Sequence, residues 1–289
     1  MPVPFPAASA LLERLRAERP LISVELRPPR TGLSFTESMD VWIDMNRAVR
    51  RIGRGDTVVF VTDNAVGVSE EENLNHLNAN LAGEVDPAKI VPFLTCKHSI
   101  EYCLMYAARA ASHDFQALAV LGGDKFAGPQ RCVENAYILR NMIRERVPGL
   151  ALGGWANPHR DAAEQVGYLM QPHFAAEFYL TQVVSHHDLR AVEQFAKEAR
   201  RREVPHPAVF GVFFYRSANP ATLERLGHYF PVPARGIAQD FASGASPEEI
   251  CARTIRELRD VGVDKVYVSN LGFTGAYERY RSIMDALEG

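Results

Sequence analysis

Eight short apolar runs, each followed by a longer stretch of mixed polar and apolar residues, constrain the fold of this chain more than any other feature. The runs occupy residues 21–26, 57–62, 90–95, 117–121, 150–155, 178–181, 208–213 and 265–269. Several are almost continuous in Val, Ile, Leu and Phe, which is typical of parallel strands that helices cover. Between them, the pattern of amphipathic helices occupies residues 99–112, 130–146, 187–202 and 247–261. Eight strand–helix units in series predict an α/β fold, a closed (β/α)8 TIM barrel.

The length of the chain fits one such barrel. Its 289 residues exceed the roughly 250 of a typical barrel, so we expect a single domain over residues 1–289. Residues 1–20 precede the first strand as a helical extension, and residues 7–18 predict an extra N-terminal helix against the closed bottom of the barrel. The segment SPEE at 246–249 marks a helix start, with a capping box and proline at the first helical position. An open nucleotide-binding sheet is the structural alternative, but the chain has neither GxGxxG after the first strand nor GxxxxGK(S/T).

Composition and charge narrow the classes of function. A net charge of -3 gives no electrostatic footprint for nucleic acid, and no apolar run approaches the roughly 20 residues of a membrane helix. The N-terminus lacks a basic segment followed by a long apolar core, so we expect no secretion signal and a cytoplasmic protein. The four cysteines form no CxxC pair, which favours free, reduced thiols over a structural zinc site. The sequence is compatible with a homo-oligomer.

Polar residues follow every predicted strand. The C-terminal ends of barrel strands open on one mouth, where the catalytic groups of this fold lie. In strand order the polar residues are Glu25; Thr62, Asp63 and Asn64; Thr95, Cys96, Lys97 and His98; Asp124; Asn157 and His159; Gln182; Tyr215 and Arg216; Ser269 and Asn270. Loop residues also cap helices. This structural role is an equal alternative for Asp63, Asn64 and Ser269, and also for Ser185, which follows the sixth strand.

Glu25 is the most informative of these residues. It lies inside the apolar run LISVEL at 21–26, where a carboxylate is costly unless it is paired or used. Arg27 and Arg30 follow it closely and could pair with it, which is the structural alternative. We predict that Glu25 is a functional group at the mouth of the barrel.

Asp124 and Gln182 are the next candidates. Asp124 follows two glycines, which allow a sharp turn and a close approach of the backbone to a ligand. A cap for the helix predicted at 130–146 is its structural alternative, although the intervening distance is unfavourable. Gln182 ends the sixth strand, where its amide could pair two ways with a flat heterocycle. Its alternative is an ordinary buried amide bonded to a neighbouring strand.

Four segments around these positions resemble one family of enzymes. Residues 23–30, SVELRPPR, resemble the first-strand signature of the methylenetetrahydrofolate reductases. Residues 92–96, PFLTC, are similar to the family's His-Leu-Thr-Cys, 121–124, LGGD, to its Leu-Arg-Gly-Asp, and 180–182, LTQ, to its Ile-Thr-Gln. Each motif alone is weak, but all four occur in the family's order over about residues 20–275. The chain is therefore identified, as an expectation, with a divergent and short form of this family.

The resemblance implies an oxidoreductase of one-carbon metabolism and methionine biosynthesis that interconverts 5,10-methylenetetrahydrofolate and 5-methyltetrahydrofolate. Glu25 would be the general acid that delivers a proton towards N10, and Asp124 would stabilise the cationic 5-iminium species. Gln182 would hydrogen-bond the pterin. The resemblance also implies FAD and a hydride donor, NADH or NADPH. The residues implied to bind the cofactor are Thr62, Ala156, Asn157 and His159.

The departures from the family pattern concentrate on flavin binding. Phe93 replaces the third-strand histidine, Gly122 replaces the arginine of the fourth, and Asn157 stands where relatives often have tyrosine. A lysine that the family has between the fifth strand and Gln182 falls near Gln171 here, so a cation for the FAD phosphates is missing. Backbone amides and Arg160 would remain to bind these phosphates. NADH acting directly, without flavin, is therefore an alternative route.

Two other functions stay open from the sequence. One is a barrel that binds methyltetrahydrofolate for methyl transfer, which would need a separate corrinoid partner because no corrinoid-binding signature is present. The other is a non-catalytic folate-binding relative. All of these hypotheses assume that a reduced folate binds at the mouth of the barrel.

Overall fold

Eight parallel strands close into one barrel in chain order in the computed structural model, which describes residues 9–63, 70, 72–81, 83–272 and 274–289. The strands are β1 (Leu21–Leu26), β2 (Val59–Val61), β3 (Ile90–Thr95), β4 (Ala117–Leu121), β5 (Ala151–Ala156), β6 (Phe178–Val184), β7 (Ala208–Phe213) and β8 (Lys265–Ser269). β8 returns to β1 with Leu21 opposite Lys265 and Val24 opposite Val268, which completes the ring. The predicted (β/α)8 barrel is confirmed.

Helices surround the sheet and follow the strands. They are α1 (Ala10–Arg16), α2 (Phe35–Gly53), α3 (Asn73–Leu81), α4 (Ile100–Ser112), α5 (Ala136–Arg146), α6 (Ala162–Leu169), α7 (Leu189–Arg201), α8 (Pro220–Gly227), α9 (Ala234–Ala242), α10 (Pro247–Asp260) and α11 (Ala276–Glu288). The predicted capping box at Ser246 and Glu249 is present at the start of α10. Among the described residues, no helix is both long and apolar enough to cross a membrane.

Among the elements whose bounds differ from the sequence-based prediction are α5, β6 and β2. The helix predicted from residue 130 begins only at Ala136, because the residues after β4 form a glycine-rich loop with a positive φ at Gly123 and Gly128. β6 runs three residues beyond its predicted end, to Val184, because a bulge lets the strand continue. β2 is shorter than predicted, three residues instead of six.

The N-terminal helix closes the bottom of the barrel. α1 is shorter than the predicted 7–18, and residues 1–8 lie outside the described residues. Leu11, Leu12 and Leu15 are buried against the cluster that fills the barrel interior. The N–H of Ala10 donates to Oε1 of Gln116 at 2.9 Å, just before β4 begins. The predicted position of this helix, at the end of the barrel opposite the mouth, is confirmed.

The side chains of β5 show how the two layers of the core alternate. Ala151 belongs to the interior cluster, and Gly153 faces the Phe178 ring of that cluster. Leu152 and Ala156 belong instead to the larger cluster between the strands and the helices. Because strand side chains alternate, Trp155 shares the inward direction and, near the end of β5, faces the mouth.

The helices α8 and α9 form an insertion between β7 and α10 that the sequence patterns did not reveal. They enclose a third, smaller apolar cluster with Val183, Tyr215 and Phe230 among its members. This cluster lies at the C-terminal ends of β6 and β7. The insertion therefore covers one side of the barrel mouth.

The four cysteines are all free thiols, as predicted. Cys96, Cys103 and Cys251 are buried, and Cys132 is partly buried. Burial raises the pKa of the Cys96 thiol to about 12, so that this thiol stays protonated at neutral pH.

Gly153 tests how tightly the barrel interior is packed. A Cβ at this position would lie 2.6 Å from Cζ of Phe178 and 3.2 Å from Cα of Ala119, so no side chain fits without displacing β4 or the ring. We expect Gly153→Ala to lower the free energy of unfolding by roughly 1–3 kcal/mol. The control is Gly149→Ala, where the added Cβ would meet nothing within 4 Å. Urea denaturation should show this variant within about 0.5 kcal/mol of wild type, and equal stability of both variants would contradict the packing account.

Candidate active site

Glu25 lies at the mouth of the barrel beside the end of β8. The register that places Val24 opposite Val268 brings Glu25 next to Ser269. The Ser269 hydroxyl donates a hydrogen bond to Oε1 of Glu25 at 2.6 Å. The sequence left a helix cap as an alternative role for Ser269. In the structure, Ser269 instead contacts Glu25, the principal candidate residue.

The environment of Glu25 favours the protonated acid. Burial raises the pKa of the Glu25 carboxyl above its ordinary value, and the negative charge of Glu70 acts in the same direction. The hydrogen bond from Ser269 and the charge of Arg27 act against this increase without cancelling it. A carboxyl group with a raised pKa at the mouth of a barrel is suited to general acid catalysis near neutral pH.

Arg27 has a different carboxylate partner from the one that the sequence suggested. Its Nε and its Nη2 contact Oε1 of Glu70 at 3.0 and 2.9 Å, and the Glu70 side chain is almost fully buried. Oε2 of Glu70 accepts the hydroxyl proton of Thr62 at 2.9 Å. Glu70 therefore joins Arg27 and Thr62, while the Glu25 carboxyl keeps the Ser269 hydroxyl as its hydrogen-bond partner.

Asp63 contacts the end of β3. Its Oδ2 accepts from the backbone N–H and the hydroxyl of Thr95, at 2.7 and 2.9 Å. Nε2 of His98 contacts the same carboxylate at 2.8 Å. Asn64, which the sequence grouped with Asp63, lies outside the described residues.

Asp124 stabilises the loop that carries it. Its Oδ1 accepts the backbone N–H groups of Phe126 and Ala127, at 2.7 and 3.2 Å, which is an Asx turn. The carboxylate is partly exposed, and its Oδ2 makes no hydrogen bond to any residue that the structure describes. One oxygen of Asp124 thus holds the loop, and the other remains for a ligand.

Two cations occupy the space that the two glycines before Asp124 leave. A Cβ on Gly122 would lie 2.9 Å from Cζ of Arg131, and one on Gly123 would lie 2.9 Å from Cγ of Lys97. Nη2 of Arg131 donates to the Gly123 carbonyl, and Nζ of Lys97 donates to the carbonyls of two loop residues at 2.7 Å. The guanidinium of Arg131 therefore packs over Gly122.

A β-bulge contains Gln182 near the end of β6 at the mouth. The pairing of β6 with β7 shifts between Leu180 and Val183, so Thr181 and Gln182 stand opposite a single position. The Thr181 hydroxyl oxygen accepts the N–H of Gly211 at 3.2 Å and replaces the missing ladder bond. The bulge is therefore satisfied internally and is a fixed feature of the strand.

The amide of Gln182 is only weakly held. Its Oε1 accepts the N–H of Val183 at 3.0 Å, and its Nε2 lies 3.4 Å from the Tyr229 carbonyl in the α8–α9 insertion. The second contact is at the long end of hydrogen-bond distances. A ligand could therefore replace it at low cost.

The four residues predicted to bind FAD do not form a cofactor cradle. The hydroxyl of Thr62 is engaged with Glu70, and Ala156 faces the helix layer, with 2% of its surface exposed. Oδ1 of Asn157 accepts the N–H of His159 at 3.0 Å, and Nε2 of His159 donates to the carbonyl of Val183 at 2.8 Å. Within the described part of the chain, these groups serve the fold and do not fit a flavin. FAD binding stays a prediction.

Two aromatic residues that the motifs did not single out face the same mouth. Trp155 is 37% exposed at the end of β5, and Phe213 ends β7 directly opposite Ser269. Phe213 also packs against the rings of Tyr215 and Phe230, at 4.9 and 5.0 Å between centroids. Counting by two from the buried residues of each strand would have predicted both positions. The mouth therefore combines an acid, an amide and aromatic surfaces.

The raised pKa of Glu25 predicts how the stability of the protein depends on pH. The folded state holds this proton more tightly than the unfolded chain, so the contribution is complete below the unfolded-state pKa, about 4.3, and is lost as the pH rises through the folded-state pKa. Glu25→Gln stays neutral at every pH. We expect its free energy of unfolding to exceed that of wild type at pH 7 and the excess to shrink as the pH falls.

Urea denaturation between pH 5 and pH 8 measures this difference. Glu145→Gln is the control, because the Glu145 side chain is 72% exposed on α5. The free energy of unfolding of this control should differ from that of wild type by a small amount that does not depend on pH. A Glu25→Gln variant less stable than wild type at pH 7 would show that the carboxylate is a structural ion instead.

Comparisons with known proteins agree on the fold. No protein-family model and no curated protein sequence matches the chain. Among solved structures, an uncharacterized protein from Clostridium thermocellum that binds two copies of 5-methyl-5,6,7,8-tetrahydrofolic acid superposes with a TM-score of 0.66 at 14% identity, over 96% of this chain and 98% of that one. Apo-MsnO8 gives a TM-score of 0.57 at 13% identity, over 93% and 99%. The spore cortex-lytic enzyme SleL of Bacillus megaterium QM B1551 gives 0.50 at 9%, over 92% and 74%. At these identities the shared property is the barrel fold.

Proposed function

We propose that the barrel mouth binds a reduced folate and that the protein interconverts 5,10-methylenetetrahydrofolate and 5-methyltetrahydrofolate by hydride transfer with NADH or NADPH. The observation that carries the proposal is the Glu25 carboxyl, which is held by Ser269 and has a pKa raised by burial at the mouth. The four sequence motifs that resemble the methylenetetrahydrofolate reductases support the same reaction.

Glu25 supplies the proton of this reaction. Protonation at N10 breaks the bond between N10 and the bridging carbon, which leaves a cationic iminium at N5. A hydride from the nicotinamide then converts this carbon to the N5 methyl group. The sum is one hydride and one proton added to the folate, so a carboxyl that is neutral at the start of the reaction is required.

The other groups of the mouth have complementary roles. The free oxygen of Asp124 offers negative charge to the iminium, and the Gln182 amide offers two hydrogen bonds to the pterin after it leaves Tyr229. Trp155 and Phe213 offer aromatic surfaces for the flat pterin or nicotinamide ring. The reaction is proposed to proceed directly between folate and nicotinamide, because the residues implied for FAD are engaged in the fold.

A second candidate is folate binding without redox chemistry. The Clostridium thermocellum protein binds 5-methyltetrahydrofolate, and this supports a folate ligand for the present barrel without indicating turnover. The internal hydrogen bonds of Asp124 and Gln182 also favour a less demanding role for these residues. The two candidate functions differ in what they predict for turnover. Only the first predicts turnover with NADH or NADPH that depends on Glu25.

The substitution Glu25→Gln separates acid catalysis from binding. We expect turnover of 5,10-methylenetetrahydrofolate with NADH or NADPH to fall by about 100-fold or more, as for loss of a general acid. Affinity for 5-methyltetrahydrofolate, measured by calorimetry, should change little because the amide has the shape of the acid. Glu145→Gln should retain wild-type turnover. Near-wild-type turnover of Glu25→Gln would exclude the proposed role, and tight binding with no turnover in wild type would favour the second candidate.

Tryptophan fluorescence locates the folate. The chain has two tryptophans, and Trp42 on α2 is buried and stacked on His76, at 3.9 Å between ring centroids. In the variant Trp42→Phe, emission therefore reports Trp155 alone. We expect 5-methyltetrahydrofolate to quench this emission with the same midpoint as the calorimetric titration. Calorimetric binding without any change in emission would place the folate away from the mouth.

A further inference from the structure

A cluster of two histidines and one aspartate lies outside the groups assigned above, between the end of β6 and the α8–α9 insertion. His186 and His187 directly follow β6, and Asp240 lies on α9. Nε2 of His186 and Nε2 of His187 approach the same oxygen, Oδ2 of Asp240, at 3.0 and 2.9 Å. The three ligand atoms all lie within 4.8 Å of one another. We call these three residues the His–His–Asp cluster.

The contacts of His186 allow its Nε2 to act as a metal ligand. The Thr254 hydroxyl lies 3.0 Å from the Ile250 carbonyl one turn earlier and 2.8 Å from Nδ1 of His186. When the hydroxyl donates to Ile250, its oxygen accepts the Nδ1–H of His186, and the neutral imidazole then has a lone pair on Nε2. In this arrangement a cation between Nε2 and the carboxylate of Asp240 would be bound by both atoms.

The geometry of the cluster suits a cation. Two imidazole nitrogens converge on one carboxylate oxygen, at 3.0 and 2.9 Å, and all three are atoms that commonly bind metal ions.

We propose that the His–His–Asp cluster binds a divalent transition-metal ion, with Zn²⁺ as the best-fitting chemistry. Two imidazole nitrogens and one carboxylate oxygen form a familiar ligand set for this ion. Zn²⁺ with bonds near 2.1 Å separates tetrahedral ligands by about 3.4 Å, so the observed 2.9 and 3.0 Å contacts need to open by only a few tenths of an ångström. The His187 side chain is 27% exposed, which leaves a fourth position for water.

The groups around the cluster behave as outer partners of a metal site. A metal-bound histidine usually donates its other N–H to an oxygen acceptor, and Thr254 is that acceptor for His186. Nη1 of Arg253 contacts Oδ1 of Asp240 at 2.9 Å, so Oδ2 is the oxygen directed at the histidines. A Cβ on Gly236 would lie 2.6 Å from the His187 ring, so the glycine allows α9 to approach this ligand.

The metal would attach the α8–α9 insertion to the barrel. His186 and His187 follow Gln182 by four and five residues, and the insertion that carries Asp240 also carries Tyr229, the partner of the Gln182 amide. Bound metal is expected to stabilise the folded protein, because it binds the folded arrangement better than the unfolded chain. The inference rests on the cluster alone and does not require the proposed folate chemistry.

The test is Zn²⁺ titration calorimetry on the full chain after dialysis against a chelator, with Co²⁺ absorption as a second probe. We expect one equivalent of Zn²⁺ in wild type, visible absorption by Co²⁺ with nitrogen and oxygen ligands, and a higher melting temperature with Zn²⁺. Asp240→Asn has nearly the same shape and should weaken Zn²⁺ binding by about 100-fold or more. His228→Ala removes an exposed histidine elsewhere in the insertion and should bind Zn²⁺ as wild type does.

Variants of Thr254 provide a sharper readout. Thr254→Val removes the acceptor for His186 and should weaken Zn²⁺ binding by roughly 10- to 100-fold, while Thr254→Ser should restore it. Circular dichroism of each variant verifies that it is folded. Wild-type protein that binds no Zn²⁺ or Co²⁺ would overturn the proposal, as would unchanged affinity in a folded Asp240→Asn variant.

Discussion

Closure of the eight-stranded sheet forces the side chains of each strand to alternate between the barrel interior and the surrounding helices. Leu21 fills the interior, Val24 packs against the helices, and Glu25 then falls on the interior side where the barrel opens. The same alternation places Ser269 beside Glu25. Burial of a carboxyl group so placed raises its pKa, although the hydrogen bond from Ser269 acts in the opposite direction. The chemistry proposed for the mouth thus follows from barrel closure.

The irregular features of the molecule are concentrated around the β6–β7 side of that mouth. A bulge at Thr181 and Gln182 interrupts one strand, and the α8–α9 insertion covers its end. The His–His–Asp cluster lies where this insertion meets the residues after β6. Another part of the mouth, with Asp124 and its glycines, is shaped by a long loop after β4. The proposed binding groups are therefore on irregular segments, whereas the proposed acid is on a regular strand.

The local sequence pattern predicted the barrel, because strand periodicity and helix caps depend on residues that are close in the chain. Five of the eight strands have the predicted bounds, and the capping box of α10 was predicted from the four residues 246–249. The functional role of Glu25 could also be predicted, because a charged residue within an apolar run can be recognised from the sequence alone. The pairing of Arg27 with Glu70, 43 residues away, could not be predicted, because Glu25 is nearer in the sequence and is an equally suitable partner. The contact of Arg131 with Gly122 and the meeting of His186 with Asp240 likewise depend on tertiary packing.

The residues that the resemblance implied for flavin binding show that short sequence motifs alone do not establish a cofactor site. Thr62, Asn157 and His159 were implied by the resemblance, yet each makes hydrogen bonds within this barrel. Ala156 lies on the helix side of its strand, which alternation from Ala151 would have indicated. The acid and the amide proposed to act on the folate, Glu25 and Gln182, do lie at the mouth. This asymmetry is the physical reason for proposing direct hydride transfer.

Transfer of deuterium tests that central claim most directly. The protein is given 5,10-methylenetetrahydrofolate with NADH or NADPH deuterated at C4 of the nicotinamide, on either face, and the methyl group of the product is analysed by mass spectrometry. Direct transfer predicts one deuterium in the methyl group for one of the two labelled faces. A reduced carrier that exchanges its hydrogen with water would give an unlabelled methyl group. Unlabelled product, or no product at all, would contradict the account.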